Sequence, residues 1–186
     1  GYNPYQFSPR YWSKLKLIPL PLRRLTAKLF SQLPLPDKLD KLLQVFPADS
    51  KENFYQLLLS HWQKPESIVI GSKPLPTLIN TPEKWPKVDS FEHWMMTMDA
   101  GQYMPDDILV KVDRAAMANS LETRVPLLDH RVVDFAWKLP QHMKIRNGQG
   151  KWLLRQVLYK YVPQELIERP KMGFGVPIDS WLRGPL

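Results

Sequence analysis

Nineteen prolines in 186 residues set the grain of this chain. A proline removes a backbone N–H and clashes with the preceding helical turn, so the prolines punctuate the chain and break its helical pattern. The first 63 residues therefore read as several short helices rather than one long one. Tyr11, Leu15, Ile18 and Leu22 fall at helical spacing, interrupted by Pro19 and Pro21. Leu25, Leu29 and Leu33 continue the pattern, with Arg23, Arg24 and Lys28 on other faces. Leu39, Leu42, Leu43 and Phe46 predict a third helix, capped by Asp37. Phe54, Leu57, Leu58, His61 and Trp62 predict a fourth. The basic first 33 residues could also lie along a membrane surface. Core-facing helices with solvated Lys and Arg are the simpler reading.

Residues 64–90 hold Pro65, Pro74, Pro76, Pro82 and Pro86 and read as a long loop. A short strand is expected within it, over Ser67, Ile68, Val69 and Ile70. Residues 91–186 are more regular, with helices expected near 91–103, 106–120, 130–139 and 150–161. Trp94, Met95, Met98 and Tyr103 mark a buried face. Pro105 suits a first helical turn, and Asp106 and Asp107 oppose the positive end of its dipole. Ile108, Leu109, Val112, Ala115 and Ala116 are expected to point inward. Asp129 reads as the N-cap of the next helix, and Gly148 and Gly150 break the chain before another. The fold class is mainly α, with three regions: helical 1–63, a proline-rich loop 64–90 and a helical motif region 91–186.

Composition narrows the chemistry. The chain carries no Cys, which excludes disulfides, thiolate metal sites and a Cys nucleophile within it. Its net charge is +8, but the 26 Lys and Arg are dispersed, so a nucleic-acid role is not expected. No apolar run approaches the ~18 residues of a membrane span. The chain starts at Gly1 without a Met or a signal-like layout, as expected of a piece of a longer protein. The sequence contains no G-x-S-x-G, Walker A, H-E-x-x-H or G-x-G-x-x-G motif. His61, His93, His130 and His142 lack metal-ligand spacing and read as surface or packing residues; no metal site is expected.

Two segments stand out. Asp107, Lys111 and Arg114 share one helix face at i, i+4 and i+7, and Asp106 and Asp113 share a neighbouring one. Such spacing ordinarily gives a salt-bridged exposed face. Glu122 and Arg124 follow among the apolar Leu121, Val125, Leu127 and Leu128. Charges in an apolar frame need partners or a ligand, and the residues leave open a buried structural pair or a site. The second segment is Arg169-Pro170-Lys171-Met172-Gly173-Phe174-Gly175, where glycines allow close backbone approach and a Lys offers a compact charge for a phosphate.

Three runs resemble the glutamine-hydrolysing asparagine synthetase family in order and spacing. They are Met104 to Ala118, Leu121 to His130 and Arg169 to Pro177. Gly1-Tyr2 also resembles the end of that family's acidic segment closing in Gly-Gly-Tyr. The specific likeness covers roughly residues 100–186, with 3–90 matching loosely.

The resemblance implies the helical C-terminal portion of an adenine-nucleotide hydrolase-like α/β synthetase domain. It implies an enzyme that forms β-aspartyl-AMP from aspartate and Mg-ATP, which ammonia released from glutamine by a separate domain then attacks. AMP and pyrophosphate are the other products. The chain holds neither that domain's nucleophilic Cys nor the family's Ser-Gly-Gly-x-Asp-Ser loop. Alone it is expected to be inactive. Lys171 matches a lysine that stabilises charge as pyrophosphate leaves. Glu122 and Arg124 match residues near the substrate pocket, and Asp107, Lys111, Asp113, Arg114 and Gly173 are further pocket candidates. The Asp-Asp-Ile-Leu-Val-Lys-Val-Asp-Arg style resembles a branch linked to surface-polysaccharide gene sets, where the amidated acceptor need not be free aspartate. A cytoplasmic location is expected, and a homodimer is the partner state considered. The competing reading is a stand-alone helical interaction module.

Overall fold

The computed structural model describes residues 2–30, 33–60, 62, 65–73, 75–169 and 176–184, with the side chains at 37, 38 and 65 excepted. The protein is mainly helical, and among the described residues strand is confined to one two-residue pair. Helix α1 (Pro4–Leu15) starts at a proline, α2 is Leu20–Phe30, and α3 (Asp37–Val45) follows Pro36. Prolines mark some helix starts in the first third, but Pro9 lies inside α1 and Pro21 in the first turn of α2, so they punctuate the helices less strictly than the sequence reading expects. Pro36, not Asp37, is the residue before the first turn of α3; the Asp37 side chain, expected as its cap, lies outside the described residues. Helix α4 (Lys51–Leu59) is capped by the Ser50 hydroxyl, which accepts from the Asn53 N–H at 3.1 Å. It ends at Ser60, short of the predicted reach, so Trp62 lies beyond it and is exposed; His61 is outside the described residues.

These helices bury one apolar cluster of Leu15, Val45, Ala48 and Phe54. Arg23 enters it from α2 and is 4% exposed. Its guanidinium donates to the carbonyls of Ile18 (2.9 Å), Phe46 (3.2 Å) and Ala48 (2.6 Å) and lies 5.7 Å from the Trp12 ring centre. Three carbonyls and an aromatic face replace the water this cation gives up.

The expected strand at 67–70 does not form. Pro65–Ser67 is a single 3-10 turn, followed by a bend through Gly71 at φ +77°. Ile68, Val69 and Ile70 are all exposed. An isolated apolar run has no ladder partner there, and β-branched residues alone do not make a strand.

Helix α5 (Phe91–Met98), capped by Ser90, supplies the second and larger core. Phe91, Trp94, Met95 and Met98 pack with Tyr5 of α1 and Tyr55 of α4. Beyond Met98 the helix does not break. A π-helical segment, Asp99–Leu109, runs directly into α6 (Val110–Met117). Pro105 lies inside this continuous helix rather than in a first turn, contrary to the sequence reading. The wider π turn relaxes the contact between the proline ring and the preceding carbonyls, so the chain need not stop. Gly101 leaves room for Leu78 in the same segment: a Cβ there would lie 2.8 Å from Leu78 Cδ2, and that side chain would have to shift.

The C-terminal half comprises α7 (His130–Lys138), α8 (Gln141–Lys144), a hairpin of β1 (Ile145–Arg146) and β2 (Gln149–Gly150), α9 (Trp152–Leu158), α10 (Gln164–Ile167) and α11 (Ile178–Arg183). Asp129 caps α7 as predicted, accepting from the Arg131 N–H at 2.9 Å. Gly148 does more than break the chain. Asn147 and Gly148 both take positive φ, +51° and +75°, which closes a tight antiparallel hairpin pairing Ile145 with Gly150. The inward face expected for residues 106–120 is not buried. Ile108 and Val112 are exposed, as are Leu127, Phe135, Leu154 and Val157 beyond them. Helical spacing identifies an apolar stripe but not what covers it.

Replacing Arg23 by Ala leaves the Phe46 and Ala48 carbonyls without their donor and opens a void beside Trp12. We expect a loss of about 3 kcal/mol in urea unfolding, with Arg23→Lys recovering part of it. An unchanged unfolding midpoint would show that the arginine is dispensable.

Candidate functional site

The charged helix 106–117 meets the core at one place. There a cleft of about 1190 Å³ opens between the start of α1, the end of α4, residues 77–80 and the π-helical segment. Asp107 and Lys111 line it, and they form an i, i+4 ion pair. Lys111 is 71% exposed at its side chain, so this pair contributes tenths of a kcal/mol at most and leaves the cation available to a ligand.

The floor of the cleft was not legible as a site from the sequence. Asp99 heads the π-helical segment and is 7% exposed. Its Oδ2 accepts from the Tyr5 hydroxyl at 2.5 Å and from the Tyr55 hydroxyl at 2.9 Å. Its Oδ1 is buried and has no partner among the described residues. Burial pushes the Asp99 carboxyl above its ordinary range, and the two tyrosine hydrogen bonds oppose that shift. Both phenols are pushed up in turn, by burial and by the carboxylate they face. The signal for this group was present: Asp99 follows Met95 at i+4, and so falls on the buried face marked by the aromatic and Met residues.

Tyr2 and Tyr103 form the rim, with hydroxyls 3.5 Å apart and ring centres at 5.9 Å. The Tyr103 phenol is pushed up to about 12, first by its hydrogen bond to Tyr2 and then by burial. Gln102 also lines the cleft, its side-chain oxygen accepting from the Ile79 N–H at 3.2 Å. The cleft thus offers two lysines, Lys41 and Lys111, the tyrosine hydroxyls at its rim, and four carboxyls, the exposed Glu66 and Asp106 with Asp107 and the buried Asp99.

The remaining candidates do not join it. Asp113 and Arg114 are exposed on α6 and do not line the cleft. Glu122 and Arg124 pair at 2.6 Å, but their side chains are 70% and 85% exposed. Leu121, Val125 and Leu127 are exposed beside them, so within the described residues the pair is not buried and its apolar frame is not closed. Lys171 and Gly173 lie outside the described residues. Among the described residues, no three His, Asp or Glu side chains gather into a group that could hold a metal ion. No helix there is long and apolar enough to cross a membrane.

Comparison with known proteins agrees with the motifs. The profile of the asparagine synthase family matches residues 1–186. The chain belongs to the asparagine synthase family. Membership therefore extends through residues 3–90, where the sequence likeness is loose. An asparagine synthetase [glutamine-hydrolyzing] 1 of Bacillus subtilis is 46% identical over 92 residues, covering 50% of this chain and 15% of that protein. A Mycobacterium bovis relative assigned as an asparagine synthetase is 34% identical over 191 residues, covering 98% of this chain and 28% of its own length. The human asparagine synthetase is 40% identical over 75 residues, or 39% of this chain and 13% of that enzyme. The chain thus spans less than a third of the length of these relatives. No solved structure matches it.

The Asp99 group generates a prediction with a defined sign. A carboxyl raised in the folded state adds stability that is full below its unfolded value, about 3.9, and is lost as pH rises through the folded value. Asp99→Asn keeps an acceptor for the tyrosines without the charge, so its stability relative to wild type should improve from pH 4 to pH 7. Asp99→Leu strands two buried phenols and should cost about 2–4 kcal/mol in urea unfolding. A wild-type-to-Asn difference independent of pH would contradict this reading.

Proposed function

We propose that the chain is the helical C-terminal part of the synthetase unit of an ATP-dependent, glutamine-hydrolysing amidotransferase. In that enzyme aspartate, or a related carboxylate, is activated as an acyl-adenylate and then amidated by glutamine-derived ammonia. The carrying observation is family membership along the whole chain, together with relatives named as glutamine-hydrolysing asparagine synthetases. Mg-ATP is the nucleotide substrate, and AMP and pyrophosphate leave. Nucleic acid is not among the proposed partners. A cytoplasmic location and a homodimer complete the reading.

Lys111 and Lys171 have different tasks in this proposal. Lys111, on the rim of the cleft, attracts and orients an anionic substrate. Lys171, in its Gly-rich run, meets the negative charge that grows on phosphate oxygens as pyrophosphate departs. A fixed cation that acts only as that charge develops raises kcat rather than ATP affinity. Asp113, Arg114, Glu122 and Arg124 are proposed to face the rest of the active site across the exposed side of the helix and the segment after it. Gly173 permits the loop to close on nucleotide.

In the intact enzyme, Lys171→Ala should lower pyrophosphate release by about 10²–10³ while glutamate release from glutamine continues. Lys171→Arg should recover little, since a planar fork replaces a compact charge. Wild-type pyrophosphate release from the Ala variant would make the lysine a bystander. Parallel loss of both activities would also defeat the assigned role, pointing to a general folding defect.

A further inference from the structure

A second constellation lies away from the cleft, where the C-terminal half meets the core. Lys144, the last residue of α8, sets its Nζ 3.0 Å from Nε2 of His93 on α5 and 3.3 Å from the Trp137 carbonyl. The Lys144 ammonium lies 5.3 Å from the centre of the Trp137 ring, and His93 stacks on the same ring at 5.6 Å and 20°. An ammonium has hydrogens only to donate, so His93 Nε2 must be the acceptor, and the imidazole must be neutral. The ring is held in that state: burial and the Lys144 charge push the His93 imidazole down, with Asp89 opposing them. Among the described lysine side chains, Lys144 is the one whose amine is shifted, downward and by burial.

A half-buried amine with a stacked, neutral imidazole in hydrogen-bond contact is an amine with its own proton acceptor. We propose that Lys144, with His93 as that acceptor, is an acylation site for small acyl phosphates. The ammonium passes one proton to His93 Nε2, which releases it to solvent. The freed nitrogen lone pair attacks the acyl carbonyl carbon. The bond from that carbon to the bridging oxygen breaks, and phosphate departs with the electron pair and the second amine proton. The product is an amide at Lys144 and inorganic phosphate.

The group acylated is also a joint. Lys144 and Trp137 reach α5 from the C-terminal half, Ile145 packs against the larger core, and the Gln6 amide spans the hairpin. In the orientation that satisfies both groups, Gln6 meets the Gly148 carbonyl at 2.6 Å and the Gly150 N–H at 3.0 Å. Acylation removes the charge over Trp137 and displaces the donor to His93, so it should loosen this seam.

The probe is acetyl phosphate, applied to the chain at pH 7.5, with labelling followed residue by residue by peptide mass spectrometry. Lys138 is the internal reference: it is 73% exposed and paired with Asp134 at 2.6 Å. Exposure alone would favour Lys138. We expect Lys144 to label about tenfold faster, a modest share of the ~10²–10⁴ that a positioned base supplies in enzymes. The ratio should shrink at pH 9.5, where exposed amines also lose their protons. His93→Gln should bring Lys144 to the Lys138 rate and leave Lys138 unchanged. Equal or slower labelling of Lys144 in the wild type would overturn the proposal, whether or not the variant folds. A ratio independent of pH, or a folded His93→Gln variant that labels Lys144 at the wild-type rate, would overturn it as well.

Discussion

One carboxylate oxygen organises the core. Asp99 Oδ2 accepts from Tyr5 on α1 and from Tyr55 on α4, while Asp99 itself heads the π-helical segment. Three elements distant in sequence are thereby fixed at a single buried atom. An unpaired carboxylate at this depth would be strongly unfavourable, and two phenol donors offset the loss of water. Aromatic packing closes the shell around them. Tyr55 meets Phe91 and Trp94 edge-on at ring-centre distances of 6.4 and 6.0 Å, so the tyrosines are held by apolar contact as well as by their hydroxyls.

The geometry downstream follows from that anchor. With Asp99 pinned, the helix leaves the core along a path fixed by its first turn, and Gly101 lets Leu78 approach its backbone. Pro105 is absorbed within π turns instead of ending the helix. The continuous rod carries Asp107 and Lys111 to the edge of the cleft, about two and three turns beyond the anchor. A helix restarted at Pro105 would have been free to leave in another direction. The link between fold and site is this uninterrupted path.

Much of the fold was legible in the sequence. The proline spacing predicts the short early helices, and the periodicity of Phe91 to Met98 and of His130 to Lys138 predicts α5 and α7. Asp129 acts as the cap its residue type suggests. What failed has physical causes. Pro105 reads locally as a helix start, but tertiary anchoring at Asp99 overrides that preference. Ile68, Val69 and Ile70 have strand composition without a strand partner. Ile108 and Val112 form an apolar stripe that stays exposed among the described residues. The candidate site was half legible: charge spacing at Asp107 and Lys111 identified the rim, whereas Asp99, Tyr5 and Tyr55 come together only through long-range packing. Local spacing cannot pair residues 44 and 94 positions apart.

Hydrogen exchange tests the anchoring claim most directly. If the Asp99 hydrogen bonds hold the π-helical segment in place, the Tyr5→Phe/Tyr55→Phe double variant keeps its aromatic core but loses the two donors. The account predicts faster amide exchange across residues 99–109 in that variant, with α7 and α9 exchanging as in the wild type. Unchanged protection across 99–109 would contradict it, because the helix would then hold its path without the anchor.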